Sequence, residues 1–511
     1  MPNKIHALIG SLILVLLLTV SFVLRVPDFK SEPGIQNLEA TYHVIWTATA
    51  LNESPSENHL YLPTVTLGVD ANKQITWGNS LPTKTGEYVY TSFTPAGFIA
   101  PYSWFKVFSL TPSIQNLAYF NTFIGSIGAL ALFYFLLSLL RFNGHTPAIS
   151  SMGALIGCMI GIFSHEALRS TGLVYWSQSL YQPIFVLSLY FIFKWLTSST
   201  PQIQRKFAGW VILTAFLGPM VEWTGYIFNL GFIVLLLLNR LNTRSVYLAM
   251  QILGTTIVAG VLTVLHYSLA VGFMPTIVTF LARFSDRGTS FGTFPDLLQA
   301  YGHSYGIFIV VIMVIMVLAY FRNLPQAINH QTRITAYILI LACIPVLENF
   351  LLLQHAIQFS FDRLKFAIPS AIIISFAFAH LKNKGRVVLL AVVIAASVHG
   401  YQSYRNDLKT YVSWREIDSK NKVLVSEIKK KVNWECTIFA TNTHVRGYAN
   451  LLLHRGIYEL HTLKSSSKLQ SQHKSCALVY LEATLPFTDL PEYRKAVISF
   501  NTGNTEVIVA K

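Results

Sequence analysis

Charged residues are scarce in this sequence. Asp, Glu, Lys and Arg make up 12% of its 511 residues, whereas hydrophobic residues make up 53%, and the mean hydropathy is +0.48. An average soluble domain carries about 25% charged residues. The composition therefore excludes an ordinary soluble protein and predicts a polytopic α-helical membrane protein.

Acidic residues are especially few, with 23 Asp and Glu against 38 Lys and Arg, which gives a formal net charge of +15. The basic residues are scattered over loops and the last quarter of the chain, and no basic helix is interleaved with aromatic residues. We therefore expect no nucleic-acid partner. The positive charge is better explained by loop topology and by contact with membrane lipids or lipid-linked phosphates.

The sequence also has only four cysteines, and it lacks a Gly-rich phosphate loop and a transporter-type internal repeat. Cys158 and Cys343 lie in apolar segments, whereas Cys436 and Cys476 lie in the polar C-terminal region. The latter two could form a disulfide bond if that region lies outside the cytoplasm. The missing repeat counts against a transporter.

Long apolar runs dominate what is present. Residues 5–24 lack a small-residue cleavage pattern, which predicts an uncleaved signal anchor with a cytoplasmic N-terminus. Ten further runs approach the roughly 20 residues that span a bilayer, which predicts about eleven transmembrane helices. These runs are 116–140, 147–164, 173–196, 207–221, 223–239, 245–267, 303–321, 334–352, 364–381 and 386–400.

Basic residues in the short loops set the predicted orientation. Counted from a cytoplasmic N-terminus, every loop due to be cytoplasmic contains Lys or Arg, as the positive-inside rule requires. The long polar loop 25–114 then faces outward, and the odd helix count places residues 401–511 on the same side. We expect a transmembrane domain, 1–400, that includes this loop, and a small extracytoplasmic α/β domain, 401–511.

The sequence of that second domain predicts both helices and strands. The helix-like segments are 415–432 and VRGYANLLLHR, and the strand-like segments are TIFATN, CALVYLEA and TEVIVAK.

The first candidate for chemistry lies in the long loop, in the stretch IQNLEATYHVIWTATAL. Glu39 and His43 stand four residues apart, on one face of a predicted short amphipathic helix at the membrane edge. An acid in such a hydrophobic chain is a candidate catalytic group. The alternative is an ordinary solvent-exposed Glu/His pair at helical spacing.

Two further candidates lie at predicted outer helix ends. His165 and Glu166 precede an aromatic and amide cluster that could line a sugar pocket or form an interfacial aromatic belt. Glu222 lies in a tight turn, where it could serve chemistry or only cap the following helix. The cluster consists of Tyr175, Trp176, Gln178, Tyr181 and Gln182.

The last candidates are cationic. Arginine binds phosphate oxygens in a bidentate fashion, so basic clusters at the outer surface would suit a lipid-linked phosphate. The alternative is snorkelling to lipid headgroups together with local Asp286/Arg287 or Asp362/Arg363 pairs. The residues are Arg283 and Arg287 in LARFSDRG, and His355, Arg363 and Lys365 in QHAIQFSFDRLK.

The order of these features resembles the GT-C superfamily of integral-membrane glycosyltransferases. The stretches IQNLEATYHVIWTATAL, HLYLPTVTLG, ITWG and YTSFTPAGFIAPYSWFKVF look like the first loop of bacterial members, and HAIQFSFDRLKFAIP lies late in the membrane part. The resemblance covers roughly residues 1–400. The paired acidic motif common in many members is replaced here by Glu39 followed by Ala40, which counts against a two-acid metal site in this loop.

The resemblance implies an inverting enzyme of a bacterial inner membrane that moves a sugar from a polyprenyl-phosphate donor on the periplasmic face. The acceptor is a lipid, a glycan or a protein. Glu39 would then be the general base with His43 orienting it, and the cationic residues would hold the leaving phosphate. Residues His165, Glu166, Trp176, Gln178, Gln182 and Glu222 would form the acceptor or sugar pocket. No cofactor is established, and a divalent metal ion is left open.

Two alternatives use the same features. A polymerase or ligase of lipid-linked oligosaccharides also works at the outer face, but such enzymes usually carry their large outer loop late in the chain. A flippase or transporter should show charges in mid-helix and repeated broken helices, whereas most charges here lie at predicted outer helix ends.

Overall fold

Helices form most of the chain in a computed structural model. The structure describes residues 2–30, 37–67, 80–239, 243–288, 292–322 and 330–410, with the short pieces 426, 437–440, 454, 457–459, 477–481 and 506–510. A 3₁₀ segment, Ser360–Phe366, lies between the last helices. The helices are α1 Pro2–Lys30, α2 Leu38–Glu53, α3 Ser56–His59, α4 Ala96–Val107, α5 Ile114–Phe142, α6 Pro147–Phe163, α7 His165–Ser170, α8 Ser177–Thr197, α9 Pro201–Val221, α10 Thr224–Asn239, α11 Thr243–Val271, α12 Phe273–Gly288, α13 Phe294–Tyr305, α14 Ile307–Arg322, α15 His330–Leu351, α16 Leu353–Gln358, α17 Ala367–His380 and α18 Asn383–Thr410.

By length and composition, six of the described helices can cross a membrane, or seven if a bent helix pair counts as one span. The chain is thus a multi-pass membrane protein, while the predicted total of eleven spans is not confirmed. Several predicted runs form shorter apolar helices, such as Pro147–Phe163. The six long helices are Ile5–Lys30, Ile114–Phe142, Ser177–Thr197, Arg244–Val271, His330–Leu351 and Asn383–Lys409.

The chain divides into two compact units. The first unit consists of Met1–Glu32, Ile114–Thr263 and Phe284–Lys409, and the second of Pro33–Ser113, Val264–Arg283 and Thr410–Lys511. The predicted division into 1–400 and 401–511 stays a prediction.

The second unit contains two sheets. An antiparallel hairpin pairs β1 (Ser80–Pro82) with β2 (Tyr88–Tyr90). A four-stranded sheet has the order β4-β3-β5-β6, in which β3 is parallel to both neighbours and β6 is antiparallel to β5. Its strands are β3 Thr437–Ala440, β4 Ile457–Glu459, β5 Ala477–Leu481 and β6 Glu506–Ala510.

Three of these strands lie within the segments predicted as strands, TIFATN, CALVYLEA and TEVIVAK. The two helix-like segments of the C-terminal region, and both Cys436 and Cys476, lie outside the described residues apart from single positions. The C-terminal domain as a whole therefore stays a prediction, and so does its disulfide bond.

Local sequence explains how the short helix α7 is placed in the first unit. Ser164 ends α6, and its hydroxyl accepts a hydrogen bond from the Ala167 amide at 3.2 Å, which caps α7. Arg25 on α1 donates to the carbonyl oxygens of Leu168 at 3.1 Å and Thr171 at 2.9 Å. Both ends of α7 are therefore fixed, and with them its first residues, His165 and Glu166.

The bent helix pair consists of α13 and α14. Their axes differ by 108° at Gly306, whose φ of 52° and ψ of −125° suit glycine and few other residues. A Cβ at this position would also lie 2.8 Å from the ring of His399. Glycine is therefore required at the bend, which turns the chain directly after His303 and Ser304.

Candidate functional site

The predicted Glu39/His43 pair lies on α2, and its two members have different surroundings. Glu39 is exposed, whereas His43 is fully buried. The His43 ring packs against Tyr90 at a centroid distance of 4.4 Å and against Phe98 at 5.5 Å. Burial lowers the pKa of His43 to about 3, so its imidazole is neutral at physiological pH. The catalytic role of both residues stays a prediction.

Arg283 is half-buried on α12, also in the second unit, where its Nε donates to Ser92 Oγ at 2.7 Å. Arg287 lies on the same helix, but its side chain lies outside the described residues. Their predicted role in phosphate binding is not tested by these placements.

In the first unit, the 3₁₀ segment holds three buried charged residues, Asp362, Arg363 and Lys365. Nε of Arg363 donates to Ser304 Oγ at 2.8 Å, and Nη2 of Arg363 lies 4.0 Å from Glu166 Oε2. Ser304 donates in turn to Glu166 Oε2 at 2.8 Å. Burial lowers the pKa of Arg363, and the nearby Glu166 opposes this shift. Arg363, Ser304 and Glu166 thus form one buried group, which we call the Arg363 cluster.

Glu166 is a charged carboxylate within this cluster. Burial alone would favour its protonated form, but Arg363 and Arg169 outweigh this effect and hold the pKa of Glu166 below its ordinary value. Ser170 also donates a hydrogen bond to the carboxylate. The cluster is therefore ionic, with opposite charges in contact away from water.

Asp362, the residue before Arg363, contacts Gln178 of the predicted sugar pocket. Gln178 donates from Nε2 to Asp362 Oδ1 at 2.6 Å, and His355 contacts Asp362 Oδ2 through Nδ1. Trp176 is buried and stacks on Phe361 with ring centroids 6.1 Å apart. The structure therefore brings together residues that the sequence placed in different groups.

Lys365 belongs to a second buried ion pair. Its Nζ donates to Glu348 Oε2 at 2.6 Å, and Thr224 Oγ1 donates to the same oxygen at 2.6 Å. Glu222 is also buried and accepts a hydrogen bond from the Ser177 hydroxyl. Gln182 is half-buried on α8.

His165 lies beside Glu166 but contacts a different group. Its Nε2 lies 2.7 Å from Asp407 Oδ2, and its Nδ1 lies 3.2 Å from the carbonyl oxygen of His303. His303 Nε2 lies 3.5 Å from Asp407 Oδ1, and Arg169 Nη1 lies 3.4 Å from Oδ2. The ligand atoms of His165, His303 and Asp407 all lie within 4.8 Å of one another, so this group could hold a metal ion.

Four residues of these groups are not among those predicted from the sequence: Ser304, Glu348, His303 and Asp407. Glu348 carried a usable signal, because an acid inside an apolar run of spanning length points to a partner or a function. Asp407 and His303 carried little signal, since they meet His165 across 242 and 138 residues of chain.

Comparison with known proteins gives matches in structure alone. No protein-family model matches the sequence, and no curated protein does. ArnT from Cupriavidus metallidurans bound to undecaprenyl phosphate matches with a TM-score of 0.59 at 9% identity, covering 98% of this chain and 97% of ArnT.

Structures of the Archaeoglobus fulgidus oligosaccharyltransferase also match. Its complex with Zn and sulfate gives a TM-score of 0.54 at 11% identity, over 91% of this chain and 67% of that one. The complex of this enzyme, AglB, with an inhibitory peptide and a dolichol-phosphate gives 0.52 at 12% identity, over 92% and 69%. The chain therefore has the GT-C fold of integral-membrane glycosyltransferases, as the resemblance of its first loop predicted.

Proposed function

We propose that this protein is an inverting glycosyltransferase that moves a sugar from a polyprenyl-phosphate donor to an acceptor hydroxyl or amide. The reaction takes place at the periplasmic face of a bacterial inner membrane. The acceptor belongs to the lipids, glycans or proteins of that compartment.

The observation that carries this proposal is the extent of the structural likeness. The match to ArnT runs over nearly the whole of both chains, and that structure contains undecaprenyl phosphate. The AglB structure contains a dolichol-phosphate, a lipid of the same chemical class. Two neighbours with different lipids of this class support a polyprenyl-phosphate donor for this chain.

The proposed reaction needs one base and compensation of one developing charge. The acceptor oxygen or nitrogen attacks the anomeric carbon as it loses its proton to a carboxylate, and the bond from that carbon to the phosphate oxygen breaks. The sugar is thus transferred with inversion, and the polyprenyl phosphate leaves with an additional negative charge. Cations near the departing oxygen lower the barrier.

We assign the base role to Glu39. Glu39 is exposed on α2, where an acceptor can reach it, whereas His43 on the same helix is buried. For the phosphate we assign the basic set from the sequence: Arg283, Arg287, His355, Arg363 and Lys365. Within that set, Ser304, Glu166 and two backbone carbonyl oxygens contact the guanidinium of Arg363.

The test is transfer of radiolabelled sugar in a cell-free assay, with purified full-length protein and a panel of polyprenyl-phosphate sugars. Glu39→Gln removes the base but keeps size and shape, so we expect transfer to fall by at least the 10²-fold typical of a lost general base. Donor binding should change little. Glu57→Gln is the matched control, because Glu57 is another exposed acid of the same loop.

Wild-type turnover by Glu39→Gln would refute the assignment of the base. Failure of the native protein to transfer any sugar, combined with movement of lipid-linked sugar across liposome membranes, would refute the transferase and indicate a flippase.

A further inference from the structure

We propose that His165, His303 and Asp407 form a binding site for a divalent cation of the Zn²⁺ type. The site lies entirely within the first unit and joins three helices that are distant in sequence, α7, α13 and α18. It goes beyond the proposed sugar transfer, which requires no metal.

The donor set suits such a cation. Two imidazole nitrogens and a carboxylate are a common protein ligand set for zinc, with water in the fourth position. The ligand atoms are separated by 2.7 Å between His165 and Asp407 and by 3.5 Å between His303 and Asp407. With ligand bonds of about 2.0–2.2 Å, tetrahedral ligand atoms lie about 3.4 Å apart, so the His165–Asp407 pair would open slightly around one ion while the His303–Asp407 pair already has this spacing.

The contacts of His165 orient its Nε2 toward the Asp407 carboxylate. Its Nδ1 faces the carbonyl oxygen of His303, and its Nε2 faces the Asp407 carboxylate. Both partners are hydrogen-bond acceptors, whereas a neutral imidazole has only one N–H to donate. With Nδ1–H donating to the carbonyl, the lone pair of Nε2 points at a negative oxygen. At their separation of 2.7 Å a proton satisfies both atoms, and a bound metal ion would take the place of that proton with the two atoms moved apart.

The second contact of His165 is the arrangement that histidine ligands usually have. A ligating histidine typically donates its other N–H to a carbonyl or carboxylate, which fixes the tautomer and the ring orientation. Here the backbone of a second proposed ligand, His303, provides that acceptor. The imidazole donors also favour Zn²⁺ over Mg²⁺ or Ca²⁺, which prefer oxygen ligands.

The surroundings give the ion access and balance its charge. The side chain of His303 is 52% exposed and that of Asp407 is 13% exposed, whereas His165 is buried, so an ion can enter from the His303 side. The Asp407 carboxylate compensates part of the charge of the ion. Arg169 contacts its Oδ2 at 3.4 Å, whereas Oδ1 faces His303.

The site would position the Arg363 cluster. Glu166 follows His165 in the chain, and Ser304 follows His303, so each proposed histidine ligand adjoins a residue of that cluster. Fixing the two histidines on one ion would fix the spacing between α7 and α13. That spacing would set the distance between Glu166 and Ser304 and would therefore position Arg363, which contacts both. Asp407 would add the C-terminal end of α18 to the same structure.

The experiment measures metal content directly. The full-length protein is purified without a histidine tag, treated with EDTA, exposed to Zn²⁺ and freed of unbound ion, and zinc is quantified by mass spectrometry. We expect about one Zn²⁺ per chain, and visible absorption typical of tetrahedral Co²⁺ when cobalt replaces zinc. His303→Gln should bind little of either ion and should still fold, because His303 is exposed. His330→Gln, an exposed histidine on α15, should bind as the wild type does.

Asp407→Asn tests the carboxylate, and its fold can be checked by the thermal transition without metal. Absence of zinc from the wild type under these conditions would overturn the proposal and leave a proton as the species between His165 and Asp407. Equal zinc content in His303→Gln and wild type would also overturn it. These outcomes are independent of the transfer assay: zinc can bind in a protein that transfers no sugar, and transfer can occur without zinc.

Discussion

The ion pair between Lys365 and Glu348 allows a quantitative test of the buried charges. Both side chains are about 6% exposed, and Nζ lies 2.6 Å from Oε2. Lys365→Met keeps the length and apolar stem of the side chain but leaves the Glu348 carboxylate with Thr224 and without its cation. Removing one partner of a buried pair typically costs about 3–5 kcal/mol, because the remaining charge is desolvated and uncompensated.

The double variant Lys365→Met with Glu348→Gln should recover most of this loss. The glutamine carbonyl can still accept the Thr224 hydroxyl, and no net charge remains in the site. Replacement of a whole buried pair by neutral groups is often neutral or even stabilising. We therefore expect a double-mutant cycle with a favourable coupling of about 3 kcal/mol, the lower end of that range.

Thermal unfolding of the four proteins in detergent, followed by tryptophan fluorescence, measures this coupling. Additive losses, with the double variant less stable than either single variant, would refute the reasoning. The stable double variant then tests the phosphate role of Lys365. If its charge helps to hold the donor, binding of a polyprenyl phosphate should weaken in the double variant although the fold is intact.

Two further predictions concern stability. His43 is neutral in the folded protein and has an ordinary pKa of about 6.5 in the unfolded chain, so stability is lost as the pH falls through 6.5. Between pH 7.5 and 5 the loss is about 2 kcal/mol. In thermal unfolding, His43→Leu should reduce the pH dependence of stability by that amount, and an unchanged pH dependence would contradict the prediction. Gly400→Ala should lower the stability of the protein by about 1–3 kcal/mol, because the new Cβ would meet the Phe163 carbonyl oxygen. Gly254→Ala should raise the stability by up to about 1 kcal/mol, because no atom lies within 4 Å of its new Cβ. Equal shifts of the melting temperature in the two variants would contradict this prediction.

Hydropathy predicted the membrane character and many helix positions. The run 223–239 matches α10, Thr224–Asn239, because a polar turn at Glu222 interrupts two apolar segments. The number of spans was harder to predict. The run 303–321 appeared continuous, yet the chain bends by 108° at Gly306 within it. A backbone angle at one glycine does not alter the mean hydropathy of a segment, so composition could not reveal that bend.

The site was predicted as separate residues, not as contacts. Glu166, Arg363 and Lys365 were singled out because charged groups near hydrocarbon are costly, and Gln178 because it belongs to a cluster that could line a sugar pocket. Their partners were not identified, because spacing rules apply within one helix and these contacts join different elements. Glu348 shows the difference most clearly: it lies 17 residues from Lys365, at the end of an apolar run that was interpreted as a span alone.

The two kinds of charged group in this chain suit opposite halves of the proposed reaction. A base must take a proton from an incoming acceptor, and Glu39 is exposed, so an acceptor can reach its side chain. A group that stabilises a leaving phosphate works best when it is oriented beforehand, since no free energy is then needed to reorganise it as charge develops. Arg363 meets that condition, because Ser304 and the carbonyl oxygens of Ala356 and Ile357 hold its guanidinium.

Glu166 has two opposite effects on this site. Its carboxylate keeps Arg363 charged in a buried position, but its negative charge also repels an incoming anion. Under the proposed reaction, the Arg363 cluster would therefore favour the developing charge of the departing phosphate through preorganisation more than it would tighten binding of the donor itself.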